Sequence, residues 1–539
     1  MKKKVLPLAV GAASAVAMTA AHAAMYKNDD GTGESLILPF YSAESGNNTN
    51  VSVVNTTAGT KAVKVRIVEA WNSLEVLDFN LYMSPYDHFS FAIVAEGDGA
   101  KIITNDNSCT VPAIPEDGEP FRNLKFETEK SAADAEKSYD WTGLGRTKVG
   151  HIEIIEMGQL DPAYDETTKL GIDPEGKMNA VDAIKHDSTG VPANCALLVD
   201  AWSNIKGVDG RWADDTGGLA TVAAKTEFLT NWAGGGLYGY GSVVNVADGT
   251  AYGYDAIAIA DQVAAGKDGG VMHYQPGSVN PNFADAAFTT DSLIFNDGAV
   301  VEFDAAVNYL SATVARLQAL NATMMVTEIH NDYVTDPTIG ATTDWVVTFP
   351  TKRAHVNTAV PIEPFSETWD IPSASACEYT AMTIVDREES APPPPPAPGS
   401  SGPDFSPAPP TPPGPAPANN DVPLCYEATV IQFAEESATG SDDSVSVGVS
   451  AYLDANDGWA TISFDPADAD TGLGGCNRTG TGTVPTIACA RQISDAEDVI
   501  TGLPAVGFAV QRYVNGALGD GTLANYAMAT EHKSTVSIS

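Results

Sequence analysis

The chain has 539 residues, 43% of them hydrophobic and 18% charged. That apolar share fills globular cores, so the chain is no disordered polymer, and its length suits about three domains. Its 29 basic residues against 70 acidic ones leave a formal charge of −41, a field that repels phosphate backbones and anionic lipid and excludes nucleic acid as the main partner.

The first residues have the three parts of a secretory signal. Lys2, Lys3 and Lys4 form a basic start, Val5 to Ala17 an Ala/Val-rich run, and Ala21-His22-Ala23 an A-x-A site, which places cleavage after Ala23. The apolar run is too short to span a bilayer, and no later run reaches about 18 apolar residues, so no transmembrane segment is expected in the mature chain. Six cysteines follow the site, an even number that favours three disulfides in an exported chain. Cys476 and Cys489 flank a Gly/Thr-rich segment that can turn back on itself. Cys377 and Cys425 open two similar strand-like strings, CEYTAMTIV and CYEATVIQF, which a bridge would set side by side. That leaves Cys109 with Cys195. No C-x-x-C spacing favours a thiolate metal site instead.

Residues 34–96 carry the clearest β pattern. SLILPFY, NVSVVNTT, KAVKVRIVEA, EVLDFNLYM and HFSFAIVA are strand-like runs divided by turn-rich pieces. Val63, Val65 and Ile67 alternate with Lys64, Arg66 and Val68, which predicts one buried face and one mostly wet face. Five such runs with short turns suggest an immunoglobulin-like antiparallel sandwich over residues 24–100, its far boundary open. A mixed α+β region is expected over 101–390. GHIEIIEMG reads as a strand there, and MNAVDAIKH and ANCALLVDAWSN read as helices. Residues 304–320 are the best helix, with Asp304 as N-cap and Val307, Leu310, Val314 and Leu317 on one stripe. DWVVTFPTKR returns to strand.

Residues 391–420 hold 14 of the 34 prolines. They read as an exposed polyproline II segment. An interdomain linker, a long loop closed by Cys377–Cys425 within one domain, and a recognised ligand all remain open. Residues 421–539 are again β-rich, either a separate region or continuous with 340–390. The fold class expected for the whole chain is mainly β with some helix (α+β).

Catalytic motifs are sparse. GIDPEGKM (171–178) has P-loop spacing, yet Met178 stands where the magnesium-binding hydroxyl belongs, and Asp173 and Glu175 repel phosphate. No G-x-S-x-G elbow or H-E-x-x-H occurs. Asp87-His88 and His330-Asn331-Asp332 could each supply pieces of a triad assembled in space, with ordinary turn residues the plainer reading. Acidic loops recur, at Asn28-Asp29-Asp30-Gly31 and near the C-terminus at Asp454, Asn456, Asp457, Asp465, Asp468 and Asp470. Hard oxygen ligands in such loops suit calcium, although the EF-hand spacing is missing and solvated turns explain the same residues. Tyr238, Tyr240, Tyr252 and Tyr254 lie among glycines and offer a platform on which a sugar ring stacks, against the plainer reading of packed tyrosines. Trp71, Trp345 and Trp459 are expected in the core.

The strings ILPFYSAESGNNTNVSVVNTT, AVKVRIVEAWNSLEVLDFNLYMSPYD, YVTDPTIGATTDWVVTFPTKR and GLPAVGFAVQRYVNGALGDGTLANYAM together resemble a family of exported proteobacterial proteins usually labelled cell-surface proteins. The resemblance implies export and surface association and transfers no catalytic residue. The leading expectation is a secreted, non-enzymatic cell-surface protein, structural or adhesive, with calcium-assisted self-association as its mechanism. A periplasmic or extracellular carbohydrate-binding protein that takes a surface glycan is the alternative. A secreted hydrolase comes third and an outer-membrane barrel fourth.

Overall fold

The structure, a computed structural model, describes residues 24–126, 142–163, 179–202, 212, 227–229, 232, 234–262, 271–285, 289–296, 298–371, 373–387, 420–441, 444–453, 455–465, 491–516 and 524–539. It is mostly β, with short helices at the periphery. The signal segment, Asp454, Asp468, Asp470, Cys476, Cys489 and the 171–178 loop lie outside the described residues.

The five strand-like runs of 34–96 form the strands Ser35–Ser42, Asn47–Asn55, Thr60–Glu69, Glu75–Met83 and His88–Glu96. They divide between a seven-stranded and a six-stranded sheet. The remaining strands arrive from far along the chain. Val149–Leu160 lies between Ser35–Ser42 and Thr60–Glu69, and Leu237–Asn245 pairs with Asn47–Asn55. The sandwich therefore runs well past residue 100 and exceeds the usual seven to nine strands of an immunoglobulin-like unit. Pro39, which has no N–H to give a ladder, sits where the register with Val149–Leu160 slips. Leu36, Leu38, Val63, Val65, Ile67 and Ile154 meet Val51, Val53, Phe89, Phe91 and Ile93 between the sheets.

The outer face of the seven-stranded sheet is also covered, which corrects the expectation that Lys64, Arg66 and Val68 are mostly wet. Segment 271–285 and the helices Ala180–Ile184, Ala196–Trp202 and Ala312–Ala322 supply the cover. The backbone N–H groups of Phe283 and Gly277 donate to Glu153 and Asp78, and Asn80 donates to the Tyr274 carbonyl. Lys64 and Arg66 are thus buried with Asp78, Glu75 and Glu153 as partners. Burying a charge this way is tolerated because each is paired. Of the helix expected over 304–320, Asp304 does cap a turn, at Ala305–Val307, by accepting from the Ala306 N–H at 2.9 Å. The α-helix starts anew at Ala312, and the break turns the predicted stripe out of register, so that Leu310 is fully exposed while Leu317, Ala319 and Leu320 are buried.

A second sandwich pairs two five-stranded sheets. One holds Asn420–Leu424, Glu378–Asp386, Asp457–Ser463, Glu328–Val334 and Lys533–Thr535. The other holds Ser446–Gly448, Ala428–Gln432, Ala341–Thr348, Val506–Tyr513 and Tyr526–Glu531. The three central strands of the second of these sheets are buried on both faces. Trp345, Val347, Ile431 and Ala509 point into the second core, while Val346, Val430, Phe508 and Val510 point into the first. This two-sided burial is why DWVVTF and AVGFAV are nearly unbroken apolar runs.

Glu378–Asp386 and Asn420–Leu424 are antiparallel neighbours. The proline-rich stretch therefore joins two partner strands of one sheet and does not separate two sandwiches. Cys377 and Cys425 are bonded at its base, and Cys109 is bonded to Cys195. The strand beside Glu378–Asp386 precedes Cys425, however. The CYEATVIQF run lies in the facing sheet, because the chain crosses over between Cys425 and Ala428. Replacing Cys377 and Cys425 together by Ser should cost about 2–4 kcal/mol, the usual worth of a disulfide closing a loop of this length. Denaturant unfolding measures it, and a loss under about 0.5 kcal/mol would mean that the bridge does not constrain the unfolded chain.

Candidate ligand-binding cleft

The two sandwiches meet along an aromatic seam. The strand Thr250–Asp255 alternates buried and exposed positions, which sends Tyr252 and Tyr254 inward and Ala251 and Asp255 outward. The Tyr254 ring stacks on Phe508 with centroids 4.5 Å apart and 17° between planes, and its hydroxyl donates to the Phe40 carbonyl. Tyr252 lies 6.2 Å from the same phenylalanine. Glycine is required opposite, since a Cβ on Gly241 would fall 2.3 Å from the Tyr254 ring. The strand Leu237–Asn245 alternates in the other sense, so Tyr238 and Tyr240 stay 38% and 45% exposed. The four tyrosines are thus divided: Tyr252 and Tyr254 hold the seam, and Tyr238 and Tyr240 face solvent.

Above the seam lies a cleft of about 710 Å³. Tyr238, Tyr254 and Phe508 are among the residues that line it. Asp29, Asp30, Asp255 and Glu531 supply carboxylates, and Lys27 and Lys533 supply ammonium groups. Lys27 pairs with Glu531 at 3.3 Å and bridges the first strand to the last sheet, a surface contact worth under about 1 kcal/mol. The Asn28-Asp29-Asp30-Gly31 turn is closed by Asn28, which accepts from the Asp30 N–H at 3.1 Å and donates to the Thr32 carbonyl at 2.7 Å. Gly31 takes φ +76° there. This turn sets Asp29 and Asp30 at the cleft mouth.

The other candidates fall elsewhere. Asp457 begins the strand Asp457–Ser463, and Asn456 immediately precedes it. The Asn456 carbonyl accepts from Thr335, and Asp457 pairs with Arg387 at 2.7 Å. Asp465 follows the same strand, and its N–H donates to Ser463. Among the described residues no three His, Cys, Asp or Glu side chains gather as a metal ion would need. Asp87 is used up locally, accepting from the N–H groups of Ser84 and His88. His186 comes near both Ser84 and Asp87, at 3.4 and 3.9 Å, but through the same ring nitrogen, which is not a proton relay. His330 bonds Thr461 at 2.8 Å.

Trp345 is buried and Trp71 half-buried, but Trp459 is 47% exposed, which corrects its expected core position. Along Asp457–Ser463 it faces outward, 6.4 Å from the His330 ring. The sequence alternation was present there; nothing in it said which face of the strand meets a second sheet.

No family model, curated protein or solved structure matches the chain. The class defined by the structure is a β-rich protein of two joined, mainly antiparallel sandwiches with disulfides and peripheral helices. Among the described residues no helix is long and apolar enough to cross a membrane.

Proposed function

We propose that the chain is an exported, non-enzymatic adhesive protein of the cell surface that binds a glycan in the cleft between its sandwiches. The carrying observation is a cleft lined by the partly exposed Tyr238 together with Asp29, Asp30, Asp255, Glu531, Lys27 and Lys533. An aromatic face stacks on the C–H side of a sugar ring, and surrounding carboxylates and amines bond its hydroxyls. The rigid seam beneath lowers the ordering cost of binding. Two disulfides fit an oxidising compartment outside the cytoplasm.

A glycan array probed with the mature chain, followed by calorimetry on the best hit, tests the reading. Tyr238→Ala and Asp255→Ala should each weaken binding about tenfold, or about 1.4 kcal/mol. Tyr240→Ala, outside the cleft, should change it little. A silent array, or a hit indifferent to Tyr238, sinks the glycan reading. Protease shaving of intact cells tests surface exposure separately.

A further inference from the structure

The covered outer face of the seven-stranded sheet brings an amine and a carboxyl into contact away from solvent. Lys64 projects from Thr60–Glu69 and Asp78 from the neighbouring Glu75–Met83. Their side chains are in direct contact and are 0% and 5% exposed. The Gly277 N–H, from the covering segment, donates to Asp78 Oδ2 at 2.9 Å. Three residues before Asp78 stands Glu75. In a regular strand the two would face opposite ways, but Ile67 pairs with Leu77 and Val68 with Glu75, so Val76 bulges out and both carboxyls share the outer face. Glu75 Oε2 accepts from Arg66 Nε at 3.1 Å, and Arg66 lies directly across from Asp78 in the ladder.

We propose that Lys64 and Asp78 are a self-modification site, in which Lys64 Nζ and Asp78 Cγ become joined by an intramolecular amide bond with Glu75 as the proton carrier. Burial lowers the Lys64 ammonium below its ordinary range, against the pull of Asp78, and so favours the neutral, nucleophilic amine. Burial, reinforced by Asp78, raises the Glu75 carboxyl to about 7, where it both takes and gives protons. The ammonium passes one proton to Glu75, and the neutral amine so formed attacks Asp78 Cγ. The Gly277 N–H meets the charge developing on Oδ2. Nζ then loses a second proton, the Cγ–Oδ1 bond breaks, and Oδ1 leaves as water carrying the two protons relayed through Glu75. An ammonium and a carboxylate thus become one neutral amide and one water, with no outside reactant. The product no longer bears the cost of keeping two charges dry. The fold supplies the proximity. Glu75 and Asp78 also line a groove of about 620 Å³ with Pro112, Ile114 and Pro276, through which the water departs.

The test is the intact mass of the reduced, denatured wild-type mature chain, with fragmentation of its tryptic peptides. The expected mass is one water below that of the sequence, with a branched peptide joining Lys64 to Asp78 and no cleavage after Lys64. Lys64→Arg and Asp78→Ala should restore the full mass, and Glu75→Gln should leave the bond largely unformed. A full wild-type mass with free cleavage after Lys64 overturns the proposal. So does a branch mapped to the neighbouring buried pair Lys61–Glu156. The decisive reading is made on the wild type and does not depend on any variant folding.

Discussion

Replacing Glu69 by Ala should destabilise the fold by about 3–5 kcal/mol, the range for removing one partner of a buried ion pair. Glu69 closes the strand Thr60–Glu69 and is fully buried. Its carboxylate accepts from the N–H groups of Trp71, Asn72 and Leu74 at 2.7, 3.1 and 2.9 Å. Arg146 adds Nε at 2.8 Å and Nη2 at 2.9 Å, its guanidinium resting 4.8 Å from the Trp71 ring and 4.5 Å from Phe126. Burial alone pushes this carboxyl up, but Arg146 and the backbone donors outweigh it and hold it below the usual range. Alanine would leave a dry guanidinium and three unsatisfied N–H groups. The damage reaches the second sandwich, because the same turn docks on it. The carbonyls of Ala70 and Trp71 accept from Ala428 and Glu427, and Arg353 donates to the Asn72 carbonyl at 2.8 Å. Urea unfolding at neutral pH measures the effect. Glu69→Gln, which keeps an acceptor, should cost less, and a loss under about 1 kcal/mol for Glu69→Ala would contradict the buried-pair account.

The second large effect is acid destabilisation through His355 and His532. Each ring is buried and satisfied as a neutral imidazole. His355 Nδ1 donates to the Ile362 carbonyl at 3.0 Å, while Nε2 accepts from Asn321 at 2.9 Å. His532 Nε2 donates to the Val346 carbonyl at 3.0 Å, and Nδ1 accepts from Asn331 at 3.3 Å. A second proton on either ring would face an amide N–H. Burial lowers both to about 4, against the modest pull of the carbonyls. A base with a depressed folded value stabilises the fold above its free value near 6.5. That contribution drains away as pH falls towards 4, by up to about 3 kcal/mol for each ring. Unfolding free energy should therefore decline over this window. His355→Gln or His532→Gln, which also donates and accepts, should flatten the decline by one ring's share. A slope unchanged in both variants would show that other groups carry the acid response.

The strands of 34–96 were legible because period-2 alternation and turn residues are local signals. The same alternation misled at Lys64 and Arg66. A strand with charges on one face reads as half wet, and only segment 271–285, some two hundred residues later, makes that face dry. At the cleft, the sequence treats the four tyrosines of the Gly/Tyr segment alike. Tyr252 and Tyr254 become seam residues because Phe508 arrives from the last third of the chain. Trp459 went the opposite way and stays 47% exposed. The Cys377–Cys425 partnership was read from two similar strings, yet the strand it sets beside Glu378–Asp386 is the one before Cys425.

By itself the sequence determined the β-rich class, most strand positions in the first sandwich, the acidic surface and the two cysteine pairs that the structure describes. These rest on composition and short-range periodicity. Tertiary structure alone decided which faces are buried, where the two sandwiches join, and which side chains converge on a cleft or a dry ion pair. Those outcomes depend on contacts between segments hundreds of residues apart, and no local pattern encodes which sheet will cover which face.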